Sequence, residues 1–74
     1  MSMFLDLKGL KCPLPALRTR KALSTLAPGG AMAVACTDPM ARIDIPHMLS
    51  QTGDQLEAVE DDGGVLLFHI RKRD

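Results

Sequence analysis

Two prolines follow a cysteine in the stretch Gly9-Leu10-Lys11-Cys12-Pro13-Leu14-Pro15. Apolar residues at helical spacing come directly after it, from Ala16 to Ala27. Proline is tolerated in the first turn of a helix, where the backbone N–H groups have no intrahelical partner. The stretch therefore predicts a tight turn at Gly9 and a helix from about Pro13 to Leu26, with Cys12 at the N-terminal end of that helix.

Cys12 is the strongest candidate for a reactive residue. A helix N-terminus carries about half a positive charge, and its unpaired N–H groups bind anions. Lys8, Lys11 and Arg18 are close to Cys12 in the sequence. Both features favour the thiolate, which is the nucleophile, so we expect the pKa of Cys12 to lie below the free-thiol value of about 8.5. The alternative is a small apolar side chain packed beneath the helix.

The spacing of apolar residues predicts which face of this first helix is buried. At about 100° per residue, one stripe is formed by Ala16, Leu17, Leu23, Leu26 and Ala27. Arg20 falls within the stripe and must extend outward from its edge. Leu14, Arg18 and Lys21 lie on the opposite face, beside Cys12. We hypothesise that these three residues form a docking rim for a partner; ordinary solvated surface is the alternative.

Four segments have the pattern of β-strands. Residues from Met3 to Lys8 alternate between apolar and polar, which predicts a half-buried strand. The apolar run from Ala31 to Thr37 predicts a buried strand. Gln55 to Glu60 and Val65 to Lys72 predict two more strands, joined by the hairpin loop Asp61-Asp62-Gly63-Gly64.

Pro46 complicates the second helix, which is predicted to start near Asp38 and to end at Gly53. A proline inside a helix removes one backbone hydrogen bond and clashes with the preceding turn. Either the helix is distorted at Pro46, or Asp44 caps the main part of it. We expect Asp38 and Asp44 to act as helix caps rather than as catalytic acids.

The resulting order of elements is βαβαββ, which predicts an α/β fold and a single domain over residues 1–74. Right-handed strand–helix–strand crossovers place both helices on one face of a mixed four-stranded sheet, as a two-layer sandwich. The other face of the sheet is then uncovered, and we place Val65, Leu67 and Val59 there. An open apolar face indicates an interaction surface, although isolated exposed apolar residues are common.

Composition limits the classes of function. The chain of 74 residues has two cysteines, no charged and apolar leader pattern at its N-terminus and no apolar run of membrane-spanning length. We therefore expect a cytoplasmic protein with free thiols and no membrane partner. Phe4 and Phe68 are its only aromatic residues, which argues against direct binding of nucleic acid by base stacking.

The remaining candidates for chemistry are weak. Cys36 lies in an apolar strand and is expected to be an inert core thiol. A redox pair with Cys12 is conceivable, because both residues follow strands that would end at the same sheet edge. It requires Cα atoms within about 7 Å. His47 is expected at the surface and His69 on a strand, and their spacing from the cysteines predicts no metal site.

The stretch around Cys12 resembles the Cys-Pro-x-Pro signature of the TusA/SirA family of small sulfur-carrier proteins. The resemblance extends over nearly the whole chain, through the segments Leu5 to Pro15, Thr37-Asp38-Pro39, Asp44-Ile45-Pro46 and Ile70-Arg71-Lys72. It implies that Cys12 is the nucleophile and carries sulfur as a persulfide. Pro13 and Pro15 would stiffen the turn that holds the sulfur.

The resemblance also implies what the protein works with. A sulfur carrier takes sulfur from a protein donor, a cysteine desulfurase or a rhodanese. It passes the sulfur to a protein acceptor that serves tRNA thiolation, molybdenum-cofactor synthesis or sulfur oxidation. The small chain itself supplies one nucleophile and no evident substrate pocket, so we expect a sulfurtransferase-like relay protein that needs no cofactor and acts by docking, not as a self-contained enzyme. The alternative function is a redox-sensing or regulatory module, in which the open sheet face binds a protein or a nucleic acid.

Overall fold

A computed structural model describes residues 2–74. The elements are β1 (Ser2–Asp6), α1 (Leu14–Leu23), β2 (Ala31–Cys36), α2 (Ala41–Thr52), β3 (Gln55–Asp62) and β4 (Val65–Arg71). The strand order in the sheet is β1-β2-β4-β3; β1 is parallel to β2, and β4 is antiparallel to both of its neighbours. The predicted α/β sandwich with a mixed four-stranded sheet is confirmed.

The core lies between the helices and one face of the sheet. Alternation along β2 and β4 sends every second side chain to that face, and Val34 is directly opposite Phe68 across the two strands. Both side chains are fully buried. The helices contribute three of the best-buried side chains, Leu23, Ile45 and Leu49. Burial of this apolar surface is the main force that holds the helices on the sheet.

The buried face of α1 differs from the prediction. It consists of Pro15, Thr19 and Leu23, which are four residues apart, whereas Leu17 is 56% exposed. The reason is that Leu17, at about 100° per residue, lies about 160° around the helix axis from Thr19 and so faces away from the sheet. Leu26 is buried as predicted, but it reaches the core from the turn after the helix. Ala27, which the predicted stripe included, lies beyond the end of α1 at Leu23 and is exposed.

Helix α2 runs without interruption from Ala41 to Thr52, with Pro46 inside it. Asp44 lies in its first turn and is not the residue before the helix, so the prediction of Asp44 as a cap is wrong. Asp38 acts in the turn before α2, where its Oδ1 accepts a hydrogen bond of 3.0 Å from the backbone N–H of Met40. Gly53 ends the helix as predicted, with a left-handed φ of 84° that glycine adopts without steric cost.

The hairpin between β3 and β4 is tighter than predicted. Its loop is only Gly63 and Gly64, both with positive φ, because Asp61 and Asp62 still belong to β3. Val65 and Leu67 lie on the face away from the helices, as expected. Val59 does not: it is directly opposite Phe68, a core residue, and therefore points to the helix side at the margin of the core.

Candidate functional site

Cys12 lies in the loop between β1 and α1, where this loop meets the one that follows β2. Because β1 and β2 are parallel, both loops begin at the same end of the two strands. The backbone N–H of Gly9 joins the two loops by donating to Thr37 Oγ1 (2.9 Å), and that of Leu7 joins the first loop to β2 by donating to the Ala35 carbonyl (2.8 Å). The Cys12 side chain is exposed, directly before the start of α1.

Asp38 fixes the backbone at Cys12. One carboxylate oxygen accepts a hydrogen bond of 2.6 Å from the Cys12 N–H, while the other accepts the N–H of Met40. These two bonds, assisted by the charge of Lys11, hold the pKa of Asp38 below its usual value. Asp38 therefore stays ionised, and it ties the Cys12 loop to the start of α2.

Asp44 contacts the sulfur itself. Cys12 Sγ donates a hydrogen bond of 2.7 Å to Oδ2 of Asp44, in the first turn of α2. This hydrogen bond raises the pKa of the Cys12 thiol above its ordinary value, and loss of hydration and the negative charges of Asp44 and Asp38 act in the same direction. The expectation of a lowered Cys12 pKa is therefore wrong.

The pKa of Cys12 was mispredicted because the groups that set it are distant in sequence and are brought to the sulfur by the fold. The basic residues near Cys12 in sequence were expected to set its charge environment, but the groups closest to the sulfur come from α2. Asp44 is 32 positions away along the chain. The sequence did contain information on the position of Asp38. Asp38 follows β2 as Cys12 follows β1, and residues that follow two paired parallel strands lie at the same end of those strands. The assignment of Asp38 and Asp44 as caps concealed their contact with Cys12.

Cys12 opens onto a groove of about 240 Å³ between the two helices. Its lining includes Leu17 and Arg20 from α1 and Asp44, His47 and Met48 from α2. Leu17, Arg20 and His47 are exposed, so an approaching partner would meet an apolar side chain and two basic ones beside the thiol.

The predicted docking residues lie elsewhere on α1. Arg18 and Lys21 line a second, shallow groove of about 470 Å³ together with Leu5 and Leu7 of the β1 side. Leu14 is 41% exposed at the start of the helix. The supporting prolines differ in environment, since Pro13 is exposed and Pro15 is buried. Cys12 and Arg20 thus line one groove, whereas Arg18 and Lys21 line the other.

The other cysteine is in the core. Cys36 is fully buried, and burial raises its pKa to about 11. Both cysteines are free. Over residues 2–74, His, Cys, Asp and Glu side chains form no group of three or more that could hold a metal ion. None of the helices described is long and apolar enough to cross a membrane.

Comparison with known proteins agrees with this arrangement. The family model for "Sulfurtransferase TusA" matches residues 3–72. The chain is 39% identical to the sulfur carrier protein TusA of Pseudomonas putida over 69 residues, which is 93% of this chain and 86% of that protein. It is 40% identical to the sulfur carrier protein TusA of Allochromatium vinosum over 68 residues, 92% of this chain and 90% of that protein.

A solved structure supports the same relationship. The crystal structure of a SirA-like protein from Desulfitobacterium hafniense superimposes with a TM-score of 0.84 at 32% sequence identity. The superposition covers 97% of this chain and 99% of that one. Sequence and fold agree over nearly their full lengths, and the chain belongs to the TusA/SirA family.

Proposed function

We propose that the protein is a sulfur carrier that holds sulfane sulfur as a persulfide on Cys12. The observation that carries this proposal is the placement of Cys12: an exposed thiol at the mouth of a groove between the helices, in a chain similar to sulfur carrier proteins. The second thiol, Cys36, is fully buried, so the thiol of another protein cannot reach it.

The chemistry is an exchange of sulfur between thiols, analogous to thiol–disulfide exchange. Cys12 Sγ, as the thiolate, attacks the outer sulfur of a donor's cysteine persulfide. A bond forms between Sγ and that sulfur, the S–S bond of the donor breaks, and the donor cysteine leaves as a thiolate. In delivery, the thiolate of an acceptor attacks the outer sulfur on Cys12, and Cys12 is the leaving group.

Geometry rather than a substrate pocket makes this exchange possible. Asp38 holds the backbone of Cys12 through its N–H, and the buried ring of Pro15 anchors the start of α1 two residues after Pro13. The sulfur is thereby kept at the surface, where a thiolate of another protein can approach in line with the S–S bond.

The partners in this proposal are proteins. The donor is a cysteine desulfurase or a rhodanese, and the acceptor belongs to a tRNA-thiolation, molybdenum-cofactor or sulfur-oxidation type of pathway, in the cytoplasm. Leu14, Arg18 and Lys21 are the residues proposed to dock a partner. All three are exposed on α1, which leaves them available for contact.

Mass spectrometry tests the proposal directly. After incubation with cysteine and a cysteine desulfurase, or with thiosulfate and a rhodanese, the chain should gain the mass of one sulfur atom, located on Cys12 by peptide mapping. Cys12→Ser should take up none, whereas Cys36→Ser should load like the parent. No gain from either donor, or sulfur found on Cys36, would show that Cys12 is not a sulfur carrier.

A further inference from the structure

We propose that Asp44, in a protein that carries sulfur on Cys12 as set out above, favours the sulfur-free thiol over the loaded persulfide and so promotes delivery. The carboxylate is a positioning residue in this role, because it acts on the charge state of Cys12 and does not itself bond to the transferred sulfur.

The contact between the two side chains depends on the proton of the thiol. Cys12 Sγ–H donates to Asp44 Oδ2 over 2.7 Å, and an ionised carboxylate can only accept. In the persulfide, Sγ is bonded to the outer sulfur and carries no proton. The outer sulfur of a persulfide is more acidic than a thiol, so the loaded form presents an anion. The hydrogen bond is then replaced by repulsion between two negative charges.

Among residues 2–74, no neighbouring basic group forms an ion pair with Asp44. Asp38 adds a second negative charge, and both of its oxygens are occupied by the backbone N–H groups of Cys12 and Met40. Lys11 acts on Asp38, while Arg20 and His47 line the groove from the two helices. Among residues 2–74, the Asp44 side chain forms a single hydrogen bond, which it accepts from Cys12 Sγ. Asp44 is therefore free to act on the loaded sulfur.

The exchange with a small persulfide balances without any further reactant. Cys12–SH and the anion of glutathione persulfide give the Cys12 persulfide anion and glutathione. The bond from Sγ to the transferred sulfur forms as the S–S bond of glutathione persulfide breaks, and the thiol proton of Cys12 passes to the departing glutathione thiolate.

Asp44→Asn tests the inference, because it keeps the shape and an accepting oxygen but removes the charge. The measured quantity is the equilibrium ratio of loaded to free Cys12, determined by mass spectrometry at fixed ratios of glutathione persulfide to glutathione between pH 5 and pH 9. At neutral pH the variant should hold about 3- to 10-fold more loaded Cys12 than the parent, which corresponds to about half to one pKa unit of lost repulsion. The difference should shrink at the acidic end, where the persulfide takes up a proton and the repulsion between two negative charges is lost.

Two further variants serve as controls. Asp44→Glu keeps the charge and should stay close to the parent, while Asp62→Asn removes an exposed carboxylate at the hairpin and should have no effect. If Asp44→Asn does not fold by circular dichroism, Asp44→Ser removes the same charge. A neutral variant that loads equally or less than the parent overturns the role of Asp44 alone. A parent that takes up no sulfur from glutathione persulfide overturns the carrier function together with it.

Discussion

The thiol of Cys12 meets two opposing influences, and their balance can be measured. The start of α1 favours the thiolate, whereas Asp44 and Asp38 favour the neutral thiol, and the acidic groups dominate. Alkylation of Cys12 by iodoacetamide should therefore have a pH midpoint above that of a free thiol, since a raised pKa means that less thiolate is present at any given pH. A pH series with peptide mapping measures the midpoint.

Cys36 provides the internal comparison in the same experiment. It is fully buried with a pKa of about 11, so it should be alkylated only after the protein unfolds. A midpoint for Cys12 at or below that of free cysteine would show that the contact with Asp44 is absent in solution.

Thr19 offers a second measurement at the scale of one residue. Its Oγ1 is buried on the inner face of α1 and has no hydrogen-bond partner among the described residues. A buried hydroxyl without a partner costs about 1–3 kcal/mol, and valine has the same shape and a similar helix propensity. Thr19→Val should raise the free energy of unfolding by about 1 kcal/mol, which corresponds to roughly 4–8 °C in Tm for a domain of this size.

The matched control is Thr25→Val, because the Oγ1 of Thr25 is exposed and donates to the Ala22 carbonyl over 2.7 Å. That substitution removes a satisfied hydrogen bond and should give no gain. If thermal melts show Thr19→Val to be no more stable than the parent, the hydroxyl of Thr19 has a partner in solution, such as a bound water.

At the scale of elements, packing at the start of α1 influences the position of the Cys12 sulfur. Pro15 is buried on α1, and its rigid ring lies three residues after Cys12. Pro15→Ala should leave the fold intact, because alanine suits the first turn of a helix, but it removes buried ring atoms and should cost about 1–2 kcal/mol of stability. Loading of Cys12 from a protein donor should fall by about 3-fold or more as the position of the sulfur becomes less fixed.

Pro28→Ala is the control, since Pro28 is exposed in the turn after α1 and distant in sequence from Cys12. It should load at the rate of the parent. A Pro15→Ala protein that folds and also loads at that rate would contradict the argument from rigidity.

The elements themselves could be predicted from sequence because each one is determined locally. Alternation in β4, the two glycines of the hairpin and Gly53 after α2 specify backbone conformations without knowledge of the rest of the chain. The buried face of α1 could not be predicted as well. It includes a threonine, Thr19, whose polarity favours exposure, and it excludes Leu17, whose apolar side chain favours burial.

The site shows the same limit. Cys12 could be identified from its motif, because the prolines that place it are adjacent in sequence. Its partner Asp44 could not, because their contact exists only once parallel pairing of β1 and β2 has brought α2 beside the Cys12 loop. The proline at position 46 made Asp44 resemble a helix start, although α2 had already begun at Ala41.

At the scale of the whole molecule, charge is unevenly distributed. Residues 1–30 carry five Lys and Arg against one acidic residue, whereas residues 31–62 carry seven Asp and Glu against one Arg. Part of the acidic set lies on β3 at one edge of the sheet, whereas Arg18 and Lys21 share a groove with Leu5 and Leu7 on the side of β1, which forms the other edge. Asp38 and Asp44 lie instead beside Cys12. Such a distribution can steer a charged partner toward one side of the protein.

The docking hypothesis places that partner on α1, and charge reversal tests it. Arg18 and Lys21 lie together outside the Cys12 groove, so Arg18→Glu with Lys21→Glu should alter docking and leave the environment of the sulfur nearly unchanged. Loading from a protein donor should slow several-fold at low salt. The effect should diminish as salt is added, because exposed charges are screened over about 8–10 Å at moderate ionic strength. Loading from glutathione persulfide should change by less than about 2-fold, since screening leaves little of these exposed charges at the sulfur.

Arg20→Glu separates docking from a direct effect on Cys12, because Arg20 lines the same groove as the thiol. A negative charge there disfavours both the thiolate and the persulfide anion, so it should slow loading from the small persulfide and from the protein donor alike. The informative quantity is the ratio of the two loading rates, which should fall in the double variant and stay near the parent value in Arg20→Glu. If instead the ratio falls only in Arg20→Glu, the donor docks over the groove between the helices, and Arg18 and Lys21 are ordinary solvated surface.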